Sequence, residues 1–361
     1  MKFFKLAVIP FFIFSVFSGC SSKETQRASG SAVRQLVDTV GFAQYSWQMD
    51  SLMSRLDRAG WKKTEGMPWK MVICPHDDYT YVGTLYPEIL SNIKADNLIL
   101  IGVAHKAQRL GIEDSLVFSS FSAWKGPWGN VPVSPAGKEL FDHLKNNCAT
   151  ISDTLQKVEH SLEAMVPFLQ FFNRNISIIP ILVPSMSPER MKECGKYLSQ
   201  AIRAVAEKHK WDWGRDYAII VTTDAIHYGN EDWGGADYAY YGCNDSGNTL
   251  AMNHETEIVS RCFIGEITPE KISLFSRFTL DSLDFHNYKW TWCGRYSLPV
   301  AMYTTWFLSS PKPLAGEVIG YSTSIAGKYI PVDDLIMGRT AIETKCHWVG
   351  YVAVGFRQHG F

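Results

Sequence analysis

The chain alternates between short apolar runs and longer stretches in which apolar residues recur at helical spacing. Three runs rich in valine, isoleucine and leucine, at residues 71–74, 98–101 and 218–221, predict buried strands. Continuous apolar runs of this length are typical of parallel strands that are covered on both faces. The same pattern predicts four more strands, at residues 116–118, 176–183, 316–322 and 348–356.

Helical spacing predicts helices between these strands. They are expected at residues 81–93, 134–145, 159–172, 188–208, 248–263, 269–278 and 298–308. Pro180 cannot donate a ladder hydrogen bond, so it indicates an edge or bulged position for its strand. The alternation predicts an α/β fold, a single domain with a mainly parallel central sheet flanked by helices.

The first nineteen residues predict an export signal. Two lysines precede an apolar run over 6–17, which is too short and wrongly flanked for a membrane-spanning helix, and two small residues stand directly before Cys20. This arrangement is similar to a bacterial lipobox, in which Cys20 is acylated and becomes the mature amino terminus. The alternative is an ordinary secretory peptide that contains a cysteine.

The lipobox interpretation predicts three parts of the chain: a lipoprotein signal peptide over 1–19, a flexible tether over 20–45 and the α/β domain over 46–361. We expect a protein of the bacterial cell envelope, anchored in the membrane through Cys20 and facing the periplasm or the exterior. Seven of the eight cysteines remain after Cys20, and an odd number without tight spacing cannot all pair within the chain.

The charge balance gives no indication of a nucleic-acid partner. The formal net charge is −1, and removal of residues 1–19, which carry two lysines and no acidic residue, brings it to −3. A nucleic-acid-binding domain is normally basic, with lysine and arginine clustered on one face. We therefore expect no nucleic acid among the partners.

Each of the three central strands is followed within a few residues by a titratable group. His76 follows the first, His105 the second, and Asp224 with His227 the third. Ligands of parallel sheets bind beyond the carboxyl ends of the strands, so these groups predict one crevice. Cys293 precedes the helix predicted at 298–308, whose amino terminus would favour a thiolate.

Five motifs occur in an order that carries a family resemblance. They are PHDDYTYVG at 75–83, IGVAH at 101–105, EHSLE at 159–163, TDAIHYG at 223–229 and CGRY at 293–296. In order and approximate spacing they resemble the Memo-like family, whose bacterial members are called AmmeMemoRadiSam system protein B. The resemblance spans residues 69–356. It implies a fold related to the class III extradiol dioxygenases of LigB type.

The resemblance also implies a metal-binding crevice whose ligands are His76, His105 and Cys293. Two neutral imidazoles and a thiolate suit a transition metal, and three protein ligands leave positions open for water, dioxygen or substrate. We expect iron, with copper or zinc as alternatives. Asp224 and His227 are the candidate proton donors or acceptors beside these ligands.

Four further residues are expected to contact a substrate or ligand: Tyr79, Glu159, His160 and Arg295. The family usually has His-Ala-Gly-Tyr where this chain has His-Asp-Asp-Tyr, so Asp77 and Asp78 either lie near the metal or are turn residues. Lys106 replaces a second histidine that often follows the first in the family. The metal or the substrate could therefore differ from those of other members.

Two functions follow from this pattern. The first is a non-haem metal-dependent oxidoreductase, dioxygenase-like, that acts on a small molecule through the His/His/Cys site. The second is a non-catalytic lipoprotein that uses the same crevice to bind a metal, a small ligand or a peptide.

Overall fold

Ten strands in the described part of the chain form one mixed sheet with helices on both faces. The computed structural model describes residues 32–358. The predicted signal peptide, Cys20 and the start of the predicted tether lie outside these residues. None of the helices within residues 32–358 is long and apolar enough to cross a membrane.

The strands are β1 Val33–Arg34, β2 Met71–Cys74, β3 Asn97–Val103, β4 Leu116–Phe118, β5 Ala123–Gly126, β6 Gly129–Pro132, β7 Ala149–Ile151, β8 Ser177–Val183, β9 Tyr217–Thr222, β10 His227–Gly229, β11 Gly265–Glu266, β12 Ala315–Thr323 and β13 His347–Arg357. The helices are α1 Ser46–Ala59, α2 Tyr79–Val82, α3 Leu85–Leu90, α4 Ala136–Leu144, α5 Asp153–Val158, α6 Val166–Phe172, α7 Pro188–His209, α8 Asp245–Phe263, α9 Pro269–Thr279 and α10 Ser297–Ser309.

The centre of the sheet is parallel, and its margins are mixed. Strands β2, β9, β3 and β8 lie side by side in that order and are parallel. Strands β13, β12 and β11 continue the sheet beyond β2 in antiparallel fashion, and β4 lies antiparallel to β8. The predicted α/β class is confirmed, although only the central four strands form the continuous parallel part.

Both faces of the central strands are buried, as their apolar runs predict. Met71 and Ile73 belong to the core layer that includes α7 and α10, whereas Val72 and Cys74 belong to the layer that includes α1, α3 and α6. Successive side chains of a strand point to opposite faces, so each strand contributes to both layers. The result is a sheet enclosed between two helical layers.

Only the second half of the helix predicted over 159–172 is helical. Helix α5 ends at Val158 and α6 begins at Val166. The Glu159 carboxylate accepts the backbone N–H groups of His160 and Ser161, at 3.0 and 3.2 Å, and its own backbone is extended. This local bonding replaces the helical pattern, so His160 lies on a turn.

Pro180 lies within the sheet and not at its edge. Strand β8 has β3 on one side and β4 on the other, but β4 pairs with it only between Val117 and Leu182. The Gln156 side chain donates to the carbonyls of Val117 and Pro180, at 2.9 and 3.4 Å, and fills the gap. An interior proline is tolerated here because pairing with β4 is already interrupted.

The folded domain begins earlier than residue 46. The sequence places residues 32–45 in a flexible tether, whereas the structure pairs β1 with β5 and buries Arg34 and Phe42 to 1% exposure. Arg34 forms an ion pair with Glu163. Residues 32–45 include several apolar residues but no sustained helical or strand period, so a hydrophobic pattern does not place them in the folded domain.

Candidate metal centre

The carboxyl ends of three adjacent parallel strands deliver polar groups to one edge of the sheet. His76 follows β2, Asp224 follows β9 and His105 follows β3. The backbone N–H of Thr223 donates to the carbonyl of Cys74 at 3.0 Å, which keeps the ends of β2 and β9 in step. The predicted convergence of three strand ends therefore has a direct structural basis.

The ligand atoms of His76, His105 and Cys293 all lie within 4.8 Å of one another. The Nε2 atom of His76 is 3.6 Å from the Cys293 Sγ atom. Metal–sulfur and metal–nitrogen bonds of about 2.3 and 2.0 Å at a tetrahedral angle separate the two ligand atoms by about 3.5 Å. The donor set and its spacing fit a single transition metal ion.

His76 is held in the neutral form that a metal ligand needs. Burial lowers its pKa well below the usual value, and the nearby His105 and His160 lower it further. Its Nδ1 atom is buried and has no hydrogen-bond partner among residues 32–358. Nε2, which lies near Cys293 Sγ, is therefore the nitrogen available to the ion, and Nδ1 faces no acceptor or donor in this part of the chain.

Cys293 is positioned by close packing between the end of β9 and the start of α10. The backbone N–H of Asp224 donates to its Sγ atom at 3.1 Å. Gly294 allows this approach, because a Cβ atom there would lie 2.3 Å from the Thr223 hydroxyl oxygen. Burial and the charge of Asp224 raise the pKa of Cys293, so the predicted helix effect is outweighed. A bound metal ion would lower this pKa, because a coordinating thiol is deprotonated.

Glu159 orients His105. The Nδ1 atom of His105 lies 2.9 Å from Glu159 Oε1, and a carboxylate can only accept, so Nδ1 carries the proton and Nε2 is free to bind a metal. Burial would raise the pKa of Glu159, but His105 and His160 hold it at about 2. His160 stacks on His105 with ring centroids 5.0 Å apart. Burial, reinforced by His105, lowers the pKa of His160 to about 4.

Asp224 is the carboxyl group best placed to hold a proton beside the ligands. Its Oδ1 accepts the backbone N–H of His76 at 3.0 Å, and its Oδ2 is 3.4 Å from His76 Nε2. Burial, together with the charge of Asp78, raises its pKa to about 7. His227 also lies close, and its ligand atom is within 4.8 Å of those of Asp224 and Cys293. Burial, followed by the nearby His105, lowers the pKa of His227 to about 3.

Comparison with known proteins places the chain in a family. A family model described as Memo-like protein matches residues 42–331. The chain belongs to the Memo-like family. The predicted family resemblance is therefore confirmed.

Relatives of this Memo-like chain include archaeal and bacterial proteins. It is 30% identical over 169 residues to the MEMO1 family protein MTH_45 of Methanothermobacter thermautotrophicus, which covers 45% of this chain and 56% of the relative. It is 27% identical over 183 residues to a MEMO1 family protein of Aquifex aeolicus, covering 50% of this chain and 62% of the relative. The chain spans about half the length of the curated relatives it matches.

A crystal structure of an uncharacterized protein, JW3007 of Escherichia coli K12, also matches this Memo-like chain. The TM-score is 0.43 at 12% sequence identity, and the match covers 79% of this chain and 98% of the other.

Tyr79 is not brought to the Memo-like site. It is 1% exposed, its hydroxyl donates to the carbonyl of Ala164 at 2.7 Å, and its ring contacts Phe168 edge to face. Residues 79–82 form α2 directly after the strand end, which turns this side chain into the core. The predicted substrate contact by Tyr79 therefore has no support in the geometry.

Asp77 and Asp78 have structural partners. Asp77 Oδ2 accepts the Tyr351 hydroxyl at 2.7 Å, and Asp78 Oδ2 accepts the backbone N–H of Thr340 at 2.6 Å. Burial raises the pKa of Asp77 to about 7 and that of Asp78 to about 8. These bonds favour the turn interpretation, with both groups close to the site but engaged elsewhere.

Two cavities meet at His105, which lines both. One, of about 530 Å³, is bounded by His76, His160, Asp224 and His227. The other, of about 500 Å³, is bounded by Cys293 and by residues that include Arg295, Tyr238, Tyr288 and Tyr296.

Two walls of these cavities were not predicted from the sequence. Residues 37–40 and Trp233 line the first cavity, and Tyr288 lines the second. The segment 37–40 was assigned to the tether, and neither aromatic residue follows a strand of the central sheet. The aromatic residues could have been found only as members of a region rich in tryptophan and tyrosine, which is a weak signal because most such residues are core.

Proposed function

We propose that this Memo-like protein binds a transition metal ion through His76, His105 and Cys293 and acts as a non-haem oxidoreductase on a small molecule. The observation that carries the proposal is the spacing of the three ligand atoms, all within 4.8 Å of one another at a sheet edge. The 3.6 Å separation of His76 Nε2 from Cys293 Sγ, which matches two ligands of one ion, supports it further.

Iron is the metal we expect, with copper and zinc as alternatives, because imidazole and thiolate suit all three. When bound, such an ion would supply Lewis acidity and, for iron or copper, one-electron redox chemistry. Glu159 would keep His105 in the tautomer whose Nε2 is free. The cavities on either side of His105 give a small molecule access to the ligands.

Asp224 is the residue we assign to proton transfer. Its carboxyl group lies beside His76 and has a pKa of about 7, so both protonation states are populated near neutral pH. His227 stays neutral over the same range because burial holds its pKa at about 3, which suits it to accept a hydrogen bond within the first cavity.

Metal analysis of protein purified without a histidine tag tests the site. We expect a stoichiometric transition metal in the wild type and its loss in His76→Ala and Cys293→Ser. His209→Ala and Cys262→Ser are matched controls, because His209 pairs with Glu139 at the surface and Cys262 is buried in the core. A wild type without stoichiometric metal, or ligand variants that retain it, would refute the site.

Oxygen uptake with a panel of phenolic and catecholic compounds separates an enzyme from a carrier. We expect turnover in the wild type and none in His76→Ala. Retained metal without turnover across the panel would favour the alternative, a non-catalytic protein that binds a metal, a small ligand or a peptide in the same crevice.

We also propose that the protein is a lipoprotein of the bacterial cell envelope, held to the membrane through Cys20. The support is the sequence pattern of residues 1–20. Metabolic labelling with a fatty-acid probe should vanish in Cys20→Ala and persist in Cys346→Ala. A label that persists in the first variant would contradict acylation at Cys20.

A further inference from the structure

Arg295 is a buried cation without an acidic partner. The residue is 9% exposed. Its Nη2 atom donates to the backbone carbonyl of His286 at 2.9 Å, and its Nε atom is buried without an acceptor. The guanidinium lies 3.5 Å from the ring centroid of Tyr288 and 4.6 Å from that of Tyr296.

The acidic groups at this end of the molecule are engaged elsewhere. Asp284 lies 2.7 Å from the Nδ1 atom of His286, and Glu113 lies 3.6 Å from its Nε2 atom. Among residues 32–358, no carboxylate comes within 4.0 Å of the Arg295 guanidinium. Arginine is rarely buried to this extent unless it is paired, because removal of the charge from water is costly. An anionic occupant would remove that cost.

Arg295 lines the cavity of about 500 Å³ that His105 and Cys293 also line. Tyr238, Tyr288 and Tyr296 supply aromatic surface in the same wall. A volume of this size with one cation and several aromatic rings suits a small ligand that has a flat body and a single negative group. The ligand would lie next to the candidate metal ligands.

We infer that this cavity binds a small planar carboxylate, with the carboxylate group paired to Arg295 and the flat body against the tyrosines. The inference rests on the proposed function in one respect only, namely that the bound carboxylate is the substrate. The guanidinium fork matches a carboxylate in a bidentate arrangement, which also fixes the orientation of the ligand.

The wild-type protein alone can test the inference. Isothermal titration with benzoate and with its neutral analogue benzamide compares the same flat body with and without the charge. We expect benzoate to bind about tenfold tighter or more, because a charge-assisted hydrogen bond is roughly twice as strong as a neutral one. Equal affinities, or tighter binding of inorganic phosphate than of benzoate, would overturn it.

Arg295→Met gives the complementary test, because it keeps a long side chain and removes the charge. We expect benzoate affinity to fall by about tenfold or more and benzamide affinity to change little. Arg174→Met is the matched control, since Arg174 also stacks on an aromatic ring, 3.6 Å from Trp128, but is exposed and outside the cavity. Undiminished benzoate binding in a folded Arg295→Met would overturn the inference.

Binding measurements with and without metal distinguish this inference from the proposed function. Chelator-treated wild type should still prefer benzoate over benzamide, because Arg295 is not a metal ligand. Preference for benzoate in a wild type that holds no metal as purified, and binds none when metal is added, would refute the proposed metal site and leave the carboxylate site standing. Metal-dependent turnover without a preference for benzoate would do the reverse.

Discussion

Arg34 and Arg295 are both buried near the candidate metal centre, but their surroundings differ. Arg34 is 1% exposed, pairs with Glu163 at 2.5 Å, donates to the carbonyls of Gln156 and Glu159, and lies 4.0 Å from the ring centroid of Trp124. Arg295 donates to one carbonyl and has no carboxylate partner within residues 32–358. The first charge is satisfied by the fold, whereas the second is left for a ligand.

The Arg34 region positions His105, a candidate metal ligand. Arg34 holds the backbone of Glu159, and the side chain of Glu159 holds His105. Glu163 also accepts the backbone N–H groups of Val37 and Asp38, at 2.8 and 2.9 Å. One buried ion pair thus fixes both the turn that carries Glu159 and the segment that lines the first cavity. The Arg34 region therefore positions residues of the candidate site, whereas Arg295 is available to bind a ligand.

The largest expected difference between the two arginines is in the free energy of unfolding. Arg34→Met should lower the free energy of unfolding by about 3–5 kcal/mol, because it leaves the Glu163 carboxylate buried without its partner. Arg295→Met should change it by less than about 1 kcal/mol, since an unpaired buried charge is replaced by an apolar chain. Urea unfolding of both variants checks this. Equal losses would show that Arg295 is also a structural cation.

The next effect is on metal affinity. Glu159→Gln should weaken metal binding by about 10–100-fold, because the partner that orients His105 loses its charge. A competition titration with a chromogenic chelator measures the change. Glu257→Gln, on the exposed face of α8, is the control and should leave metal affinity unchanged. Unaltered affinity in Glu159→Gln would remove the positioning role of the Arg34 region.

A smaller effect on stability tests whether Tyr79 belongs to the core or to the candidate site. Tyr79→Phe should cost about 1–2 kcal/mol of stability, because the carbonyl of Ala164 loses its buried partner. Metal content and benzoate affinity should not change, because Tyr79 lies in the core. A marked loss of benzoate affinity in a stable Tyr79→Phe would return Tyr79 to the binding site.

The smallest effect is the pH dependence of carboxylate binding. The hydrogen bond to Asp284 raises the pKa of His286, which lines the same cavity as Arg295. The imidazolium adds positive charge at low pH and is lost as the pH rises through the raised pKa. Benzoate affinity should therefore fall by about two- to threefold from about pH 6 to about pH 8.

His286→Gln should flatten this profile while Arg295 keeps most of the affinity. Asp284 and Glu113 partly neutralise the imidazolium, which is why the expected change is small. A steeper profile, or one that rises with pH, would mean that another titrating group controls the cavity.

The sequence predicted long regular elements well and short irregular ones poorly. The helix expected at 188–208 is α7 Pro188–His209, and the strand expected at 348–356 is β13 His347–Arg357. Both depend on a hydrophobic period sustained over many residues. The turn at 159–165 depends on one carboxylate that accepts several backbone N–H groups, and a hydrophobic pattern does not record such a contact.

The candidate site was predictable to the extent that it follows the ends of strands. His76, His105 and Asp224 came from that rule, whereas Cys293 needed the family resemblance because its loop precedes a helix. Tyr79 was expected to contact a substrate because it follows His76 closely along the chain. That closeness does not decide which way a side chain turns. The missing partner of Arg295 is a property of three-dimensional surroundings and has no signature in the sequence.

For the proposed lipoprotein, the early start of the fold at β1 would limit the distance between the folded domain and the membrane. If Cys20 carries a lipid, thirteen peptide units separate it from Val33, and even fully extended they span at most about 45 Å. Val33 adjoins Arg34, whose partner Glu163 belongs to the turn that positions His105. The candidate metal centre would therefore be connected to the membrane by a short segment and would stay within reach of molecules at or near the bilayer surface.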